Sequence, residues 1–242
     1  MSKLRIQERF ISVQGEGGLV GVPSSFVRLA GCNLRCVWCD SPRSSWEPEG
    51  ETRSLDEIVE WCAAGPRHVV LTGGEPLLFS PAAELSRRLR AAGHHLTIET
   101  AGTVWCEGIE ADLMSISPKL AHSTPWERAR EEGKARLATM HEAARLRPQL
   151  LARLLAAFEW QLKFVVRTAD AATLGEDLDE IDELLAGLEI HGRRERVLLM
   201  PEGTDDEALR RGYQTALAAC QARGYRLGLR LHIHLFGHTP GT

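Results

Sequence analysis

Three cysteines lie within eight residues in the stretch Arg28-Leu29-Ala30-Gly31-Cys32-Asn33-Leu34-Arg35-Cys36-Val37-Trp38-Cys39-Asp40, directly after an apolar run. Three thiolates can ligate an iron–sulfur cluster and leave one iron open. A cluster held by four cysteines mainly transfers electrons, whereas an open iron can bind and cleave a small molecule. The stretch therefore predicts a cluster-binding loop after a strand, with a reactive site beside it.

The alternative is one face of a buried helix, because positions i, i+4 and i+7 lie on the same side of a helix and cysteine packs there as a small hydrophobe. Gly31 and Pro42 flank the three cysteines and favour a loop instead. Asn33 and Asp40 are poor residues for a helix interior. We therefore favour the cluster-binding loop.

The composition indicates an intracellular enzyme with a small substrate. The 242 residues are 43% hydrophobic, which suffices for the core of a single domain over residues 1–242. The formal charge is -4 and no Lys/Arg block stands out, so neither a nucleic acid nor a membrane surface is expected as a partner. No apolar run approaches the roughly 20 residues of a membrane span, and the N-terminus has no apolar signal core. We expect a cytoplasmic location.

The other three cysteines are Cys62, Cys106 and Cys220. They are scattered through helical or strand patterns, unlike the framework of a secreted disulfide-bonded protein. We expect buried structural thiols, since free cysteine is among the most often buried residue types.

Strand and helix patterns alternate along the chain. Near-continuous apolar runs, typical of strands buried on both faces, occur at 25–29, 69–72, 96–99, 113–117, 162–166 and 197–200, with a last one around 229–235. This alternation predicts right-handed crossovers and a parallel sheet. We expect an α/β fold in which a curved parallel sheet forms a partial (β/α) barrel, with helices outside and chemistry at the carboxyl ends of the strands.

Helix starts carry recognisable caps. Ser54-Leu55-Asp56-Glu57 and Thr204-Asp205-Asp206-Glu207 both have the pattern of a capping box, and the second predicts a helix that ends near Gly224. Ser80-Pro81 predicts a further helix, with proline at its first position, that closes at Gly93.

Residues 122–160 stand apart because they are rich in Arg, Glu, Ala and Leu and helical in pattern. Gly133 and Pro148 interrupt the pattern, and no cluster of catalytic residue types is present. We expect a helical insertion that is either a solvated surface element or a lid or dimer contact.

A second motif, Thr72-Gly73-Gly74-Glu75-Pro76, follows the predicted strand at 69–72. Its glycines let the backbone approach a ligand, and Glu75 can accept a hydrogen bond from an ammonium group, although a turn with positive φ explains the glycines equally well. Beside the three-cysteine loop, the motif resembles the GGEP element of the radical S-adenosylmethionine (SAM) superfamily. The resemblance implies that SAM chelates the open iron and is cleaved reductively to methionine and a 5′-deoxyadenosyl radical.

The N-terminal stretch Gln14-Gly15-Glu16-Gly17 narrows the choice within that superfamily. It presents an amide and a carboxylate at alternate positions, which suits a flat heterocycle as well as an ordinary polar loop. Arg28 can pair with a carboxylate or cap the edge of the sheet. Together these features resemble the 7-carboxy-7-deazaguanine synthase family, and further matches lie at Glu99-Thr100-Ala101-Gly102, Ser117-Pro118-Lys119, Leu162-Lys163-Phe164-Val165 and His232-Ile233-His234-Leu235-Phe236-Gly237.

This resemblance spans the chain outside 122–160. It implies conversion of 6-carboxy-5,6,7,8-tetrahydropterin to 7-carboxy-7-deazaguanine, with ring contraction and loss of ammonia, and with SAM used catalytically. The implied ligands of a 4Fe–4S cluster are Cys32, Cys36 and Cys39. The implied SAM contacts are Trp38, Gly74, Glu75, Gly102, Ser117 and Lys119. The implied pterin contacts are Gln14, Glu16, Arg28, Thr100, His232 and the terminal carboxylate of Thr242.

No protein residue is then an obvious proton shuttle, so the site would act through positioning and electrostatics. The family typically has threonine two residues after the last cysteine, where its hydroxyl binds Mg²⁺ together with the substrate. Here the residue is Ser41, which keeps an oxygen ligand for a hard cation. The connection after Lys119 is also longer than in many relatives.

Two other functions stay open at this point. A glycyl-radical-enzyme activase also carries a three-cysteine loop on a small partial barrel, but it has no evident use for Gln14, Glu16 and Arg28. A non-catalytic zinc or cluster-binding module with a closed metal site needs four ligands, and neither His68 nor Cys62 has the usual tight spacing to complete it. For the synthase we further expect an electron donor such as flavodoxin or ferredoxin, and a homodimer.

Overall fold

The computed structural model describes residues 2–190 and 192–242. Within these ranges the strands are β1 (Lys3–Val13), β2 (Pro23–Leu29), β3 (Glu51–Ser54), β4 (His68–Gly73), β5 (His95–Thr100), β6 (Leu113–Ile116), β7 (Trp160–Val166), β8 (Val197–Pro201) and β9 (Arg226–Leu227). They form one sheet in the order β3-β1-β2-β4-β5-β6-β7-β8-β9.

The sheet is mostly parallel and unclosed. Neighbouring strands from β2 through β9 in this order run parallel, whereas β1 pairs antiparallel with both β2 and β3. The sheet curves strongly. Its curvature brings the Gly18 amide, just after β1, within 2.8 Å of Gln161 Oε1 on β7, although β7 lies five positions away from β1 in the strand order. The predicted α/β partial barrel is confirmed, as are the six predicted strands from 25–29 to 197–200.

The helices are α1 (Pro42–Ser45), α2 (Leu55–Ala63), α3 (Pro81–Ala91), α4 (Trp126–Glu131), α5 (Ala135–Ala144), α6 (Pro148–Ala157), α7 (Ala171–Gly187), α8 (Asp206–Arg223) and α9 (Leu231–Phe236). The capping box at Ser54 is present, and α8 ends at Gly224 in the left-handed conformation. The second predicted capping box is wrong, because α8 has only a one-sided cap. Asp205, not Thr204, caps α8, because its carboxylate accepts the amide hydrogen of Ala208 at 2.8 Å.

The predicted strand around 229–235 is wrong, since residues 231–236 form α9. Alternating Leu231, Ile233 and Leu235 resemble a strand, but only Ile233 is buried and Leu235 is 54% exposed. The Leu231 amide donates to Gly15 O instead of a strand neighbour. Without a neighbouring strand, the segment satisfies its remaining backbone groups locally as a helical turn.

Residues 122–160 do contain helices, namely α4, α5 and α6 between β6 and β7. They are more than a solvated surface element, because Leu151 and Leu154 of α6 belong to the main hydrophobic core. Their other contacts reach the cysteine loop, as described below.

The core lies between the outer face of the sheet and the helices that cover it. On β7, Leu162 and Phe164 are fully buried in this core, while the alternate residues Gln161 and Lys163 are also buried but polar. Successive side chains of a strand point to opposite faces, so the inner face carries the polar groups. No helix in the described ranges has the length and apolar character to cross a membrane.

Candidate active site

The three loop cysteines lie together directly after β2. Cys36 packs with Leu34 and Ala101 in a small buried cluster, against which Cys32 and Cys39 also pack. All three thiols are free. The strand delivers the chain to the carboxyl end of the sheet, so the loop forms over the rim of the partial barrel, where such folds place their chemistry.

The protonation chemistry of these thiols fits a metal cluster. Burial raises the pKa of Cys32 to about 11 and that of Cys36 to about 12. A bare thiolate is therefore disfavoured, whereas a bound metal cation deprotonates a coordinating thiol outright. In the described part of the chain, no three His, Cys, Asp or Glu side chains have the arrangement needed to hold a single metal ion. The cysteines that hold a 4Fe–4S cluster each bind a different iron, so their sulfur atoms do not have to surround one common metal ion.

The GGEP loop lies directly against the cysteine loop. The Glu75 amide donates to Gly31 O at 2.9 Å, and a Cβ atom at Gly74 would collide with the same carbonyl oxygen. Glycine at position 74 is thus required by the close approach of two backbones. The Glu75 carboxylate is fully buried and accepts hydrogen bonds from Thr100 Oγ1 at 2.8 Å and from the Ala101 amide at 2.9 Å.

These contacts connect the GGEP motif to the ETAG motif, which is Glu99-Thr100-Ala101-Gly102. Burial raises the pKa of Glu75, although its hydrogen bonds to Thr100 and Ala101 oppose the shift. An ammonium group beside the carboxylate would stabilise the ionised form and reverse the shift. The Thr100 hydroxyl donates to Glu75 and accepts from the Gly102 amide at 2.9 Å. The Thr100 side chain therefore lies directly beside Glu75, one of the implied SAM contacts.

Three of the implied SAM contacts come together beside the cysteine loop. Lys119 Nζ donates to Ser117 Oγ at 2.7 Å and lies 5.3 Å from the centre of the Trp38 ring. The Trp38 indole nitrogen is buried and has no hydrogen-bond partner within the described residues. A bound molecule that accepts a hydrogen bond here would satisfy it. Gly102 packs closely against Leu151 of α6, and a Cβ atom there would collide with that side chain.

The inner face of the sheet carries a continuous polar layer. Paired residues in neighbouring strands point to the same face, and the register aligns Glu8 with Arg28, Arg28 with Thr72, Glu99 with Ser115, and Ser115 with Gln161. Thr72 Oγ1 donates to Glu99 at 2.9 Å, which joins the two halves of the layer. Arg28 forms an ion pair with Glu8 at 2.7 Å.

The QGEG loop, Gln14-Gly15-Glu16-Gly17, contacts this layer through hydrogen bonds and ion pairs. Gln14 Nε2 donates to Glu99 at 3.3 Å, and Glu16 forms ion pairs with Lys163 at 2.8 Å and with Arg230 at 3.3 Å. Burial alone would raise the pKa of Glu16, but Lys163 and Arg230 hold it well below its usual value. Glu16 and its two cationic partners therefore stay charged at neutral pH.

Arg230 links the two parts of the site. Its guanidinium also pairs with Asp40, the residue after the last loop cysteine. Its side chain is 8% exposed, and its backbone amide donates to the Tyr213 hydroxyl at 2.8 Å. Through Arg230, the cysteine loop, the QGEG loop and the C-terminal segment are held in one arrangement.

Three further residues that were not predicted from the sequence belong to the site, namely Lys163, Glu99 and Arg230. Lys163 had a visible signal, since a charged residue interrupts the apolar run of β7 and needs a buried counter-charge. Glu99 lies in a quoted motif but received no role. The sequence around Arg230 did not indicate a site residue, because its apolar pattern predicted a final strand that does not form.

The C-terminal segment reaches the site at its start. The His232 ring packs on Gly15, so closely that a Cβ atom at this glycine would collide with it. Burial lowers the pKa of His232, which favours the neutral ring. Near the end of the tail, the Thr242 hydroxyl donates to Thr239 O at 2.6 Å. His238 Nε2 lies 3.1 Å from Asp40 O and ties the tail to the cysteine loop.

The chain is similar to proteins of known name over its whole length. The sequence pattern of the Radical SAM superfamily matches residues 27–117. The 7-carboxy-7-deazaguanine synthase of Rhodopirellula baltica is 44% identical over 100% of this chain and 90% of its own length. That of Halobacterium salinarum is 43% identical over 99% of this chain and 93% of its own. The crystal structure of QueE from Escherichia coli superposes with a TM-score of 0.67, at 26% identity over 95% of both chains.

These comparisons favour a 7-carboxy-7-deazaguanine synthase over a glycyl-radical-enzyme activase or a non-catalytic metal-binding module. Membership of the superfamily implies a 4Fe–4S cluster and SAM, and the grouped thiols of the cysteine loop have the donor chemistry for that cluster. The chain belongs to the 7-carboxy-7-deazaguanine synthase family of radical SAM enzymes.

Proposed function

We propose that this chain converts 6-carboxy-5,6,7,8-tetrahydropterin to 7-carboxy-7-deazaguanine, with ring contraction and loss of ammonia. The observation that carries the proposal is the position of the buried charged QGEG loop, which Arg230 ties to the cysteine loop through Glu16 and Asp40. A flat, carboxylated heterocycle between these loops would meet both a carboxylate and cationic groups, and would lie beside the cofactor.

Cys32, Cys36 and Cys39 would hold the cluster, and the open iron would take SAM. When bound, the cluster supplies the electron that cleaves SAM to methionine and a 5′-deoxyadenosyl radical. The buried carboxylate of Glu75 suits the SAM ammonium group, since that cation would stabilise its ionised form. The remaining residues of the proposed SAM site are Trp38, Gly74, Gly102, Ser117 and Lys119.

On the substrate side, Glu16 would accept hydrogen bonds from the guanidine-like edge of the pterin, because it stays ionised while buried. Gln14 would contribute an amide, and Arg28 would exchange part of its pairing with Glu8 for the substrate carboxylate. His232, packed on the QGEG loop, would contact the ring system. Thr100 and the terminal carboxylate of Thr242 are assigned on the family resemblance alone, and the Thr100 hydroxyl is bonded to Glu75.

Ser41 is the proposed Mg²⁺ ligand. Its hydroxyl lies 4.0 Å from Cys39 Sγ, so an ion bound there would be adjacent to the cluster. One hydroxyl, substrate oxygens and water form a donor set suited to Mg²⁺. We further propose a flavodoxin or ferredoxin as electron donor, a homodimer and a cytoplasmic location. The free cysteines are compatible with that compartment.

The test is an anaerobic reaction of the cluster-loaded protein with 6-carboxytetrahydropterin, SAM, Mg²⁺ and dithionite. Formation of 7-carboxy-7-deazaguanine, identified by mass and absorption spectrum, would support the proposal. Cleavage of SAM without any deazapurine, at saturating pterin, would reject the proposed substrate. Cys62→Ala is a suitable control for loss of a cysteine, because the Cys62 side chain is buried in the main core and lies outside the cysteine loop.

A further inference from the structure

His141 of α5 connects the helical insertion to the cysteine loop. Its Nδ1 atom lies 2.9 Å from the amide nitrogen of Arg35, which is the residue before Cys36. Its Nε2 atom lies 2.9 Å from Ser123 Oγ. The residue is 1% exposed, although α5 is otherwise a largely exposed helix. Because this buried histidine forms a hydrogen bond at each ring nitrogen, it makes a specific contact between the insertion and the cysteine loop.

The hydrogen-bond pattern defines the tautomer. Ser123 Oγ has one hydrogen and donates it to Leu120 O at 2.7 Å. His141 Nε2 must then donate to Ser123 Oγ, which leaves Nδ1 as the acceptor that the Arg35 amide requires. Burial lowers the pKa of His141 to about 4, so the ring is neutral near pH 7 and keeps this acceptor.

The same insertion engages a second amide of the loop. The Val37 amide donates to Ser123 O at 2.9 Å. Arg35 and Val37 flank Cys36 on either side, so the two bonds fix the backbone around the central thiol. Both amides are thereby occupied, and neither is free to donate to a sulfur of a bound cluster.

We propose that His141 is a positioning residue that holds the cysteine loop in its cluster-binding shape by accepting the Arg35 amide hydrogen. The proposal rests on the proposed ligands Cys32, Cys36 and Cys39. It assigns the helical insertion to support of the cofactor rather than to a lid or a dimer contact. Loss of the acceptor would free the Arg35 amide and loosen the loop around Cys36, so iron would leave faster. Hydrogen bonds to cluster sulfurs also tune the reduction potential, so the electronic state of the cluster would change.

The experiment compares His141→Asn with His141→Leu in the cluster-loaded protein. The Asn side chain has an oxygen at the position of Nδ1 and can accept from Arg35, whereas Leu has a similar volume and no acceptor. We would measure iron release to a chelator under anaerobic conditions, and the electron paramagnetic resonance spectrum of the reduced cluster. Neither readout depends on pterin turnover. Met140→Ala is the control, since this neighbour on α5 is 52% exposed.

We expect His141→Leu to release iron at least about tenfold faster than the native protein, with an altered spectrum. That factor corresponds to about 1.4 kcal/mol, the scale of one hydrogen bond. His141→Asn should stay within about threefold, as should Met140→Ala. Equal release rates for the Leu variant and the native protein, or equal acceleration for Leu and Asn, would overturn the proposal. If the Leu variant does not fold by circular dichroism, His141→Met replaces it, because Met adapts to irregular core space and has no strong acceptor for the Arg35 amide. Failure of Cys36→Ala to lose iron would instead contradict the ligand assignment.

Discussion

The two sides of the site are held by different kinds of bond. The cysteine loop is fixed mainly through its backbone, by His141 and Ser123 of the insertion and by the Trp46 indole, which donates to Cys36 O at 3.0 Å. The substrate side is fixed through charged side chains, with Glu16 between Lys163 and Arg230. The cofactor side, which is the cysteine loop with the GGEP motif, needs a fixed backbone that leaves its thiols free to bind iron. The substrate side, which is the QGEG loop with Lys163 and Arg230, needs charged side chains that are already in position.

This difference has a physical cause. An iron–sulfur cluster carries its own charge and binds through the cysteine sulfurs. The protein therefore only has to position the three thiols and keep them available for iron. A polar substrate is recognised by charges that are expensive to bury, and these persist only when paired before the substrate arrives. The two sides should therefore respond differently to mutation.

The largest expected effect is on the cofactor side. Replacement of Cys32, Cys36 or Cys39 by Ala should abolish iron incorporation and SAM cleavage, because loss of one ligand exposes a second iron. Cys62→Ala should keep both, with only a packing cost. Iron analysis and 5′-deoxyadenosine formation check this. Full iron content in Cys36→Ala, with loss in Cys62→Ala, would reverse the assignment.

On the substrate side, Lys163→Met should destabilise the fold by about 3–5 kcal/mol, because it leaves the buried carboxylate of Glu16 without its nearest cation. Denaturant unfolding measures the change. The exposed pair of Arg211 and Glu207 provides the control, and Glu207→Gln should not shift the midpoint measurably. Equal shifts for the two variants would show that burial of the charges does not matter.

Acid should weaken the substrate side through protonation of Glu16. The pKa of Glu16 is below its usual value of 4.5 when folded. Its stabilising contribution is therefore complete above about pH 4.5 and is lost as the pH falls below that value. Glu16→Gln should flatten the loss of unfolding free energy between about pH 5 and pH 3, measured by urea unfolding. An unchanged slope in the variant would remove Glu16 from the account of acid sensitivity.

A smaller effect is expected where the two sides meet, at Ser41. Ser41→Ala should raise the Mg²⁺ requirement and the apparent KM for the pterin several-fold, because the ion loses its one protein oxygen. Iron content should not change, since the thiol ligands are intact. Titration of the reaction rate with Mg²⁺ tests this. The same Mg²⁺ dependence and the same KM in the variant as in the native protein would exclude the role.

The sequence was informative for the cofactor side. The cysteine spacing, the GGEP motif and the six apolar strands are local patterns, and the structure brings the motif residues together because parallel strands end at the same edge. The contact between Gly74 and Gly31 follows from motifs that were both visible.

The remaining parts of the site depend on contacts between residues far apart in the chain. Arg230 pairs with Glu16 across 214 positions, and no local pattern indicates this pairing. The alternating apolar residues after Arg230 indicated a strand, but tertiary contacts of its backbone overrode that preference. His141 was hidden in a segment that looked solvated, because one buried residue does not change a helical pattern.

The most direct test measures both sides in one reaction. We would determine 5′-deoxyadenosine formation from SAM without pterin, and 7-carboxy-7-deazaguanine formation with it, for Glu16→Gln and Cys36→Ala. Glu16→Gln should cleave SAM within about threefold of the native rate yet lose product formation by about 100-fold or more, as expected when a buried charged contact to substrate is removed. Cys36→Ala should lose both. Equal loss of both activities in Glu16→Gln, or undiminished product formation, would contradict the separation of a cofactor side from a substrate side.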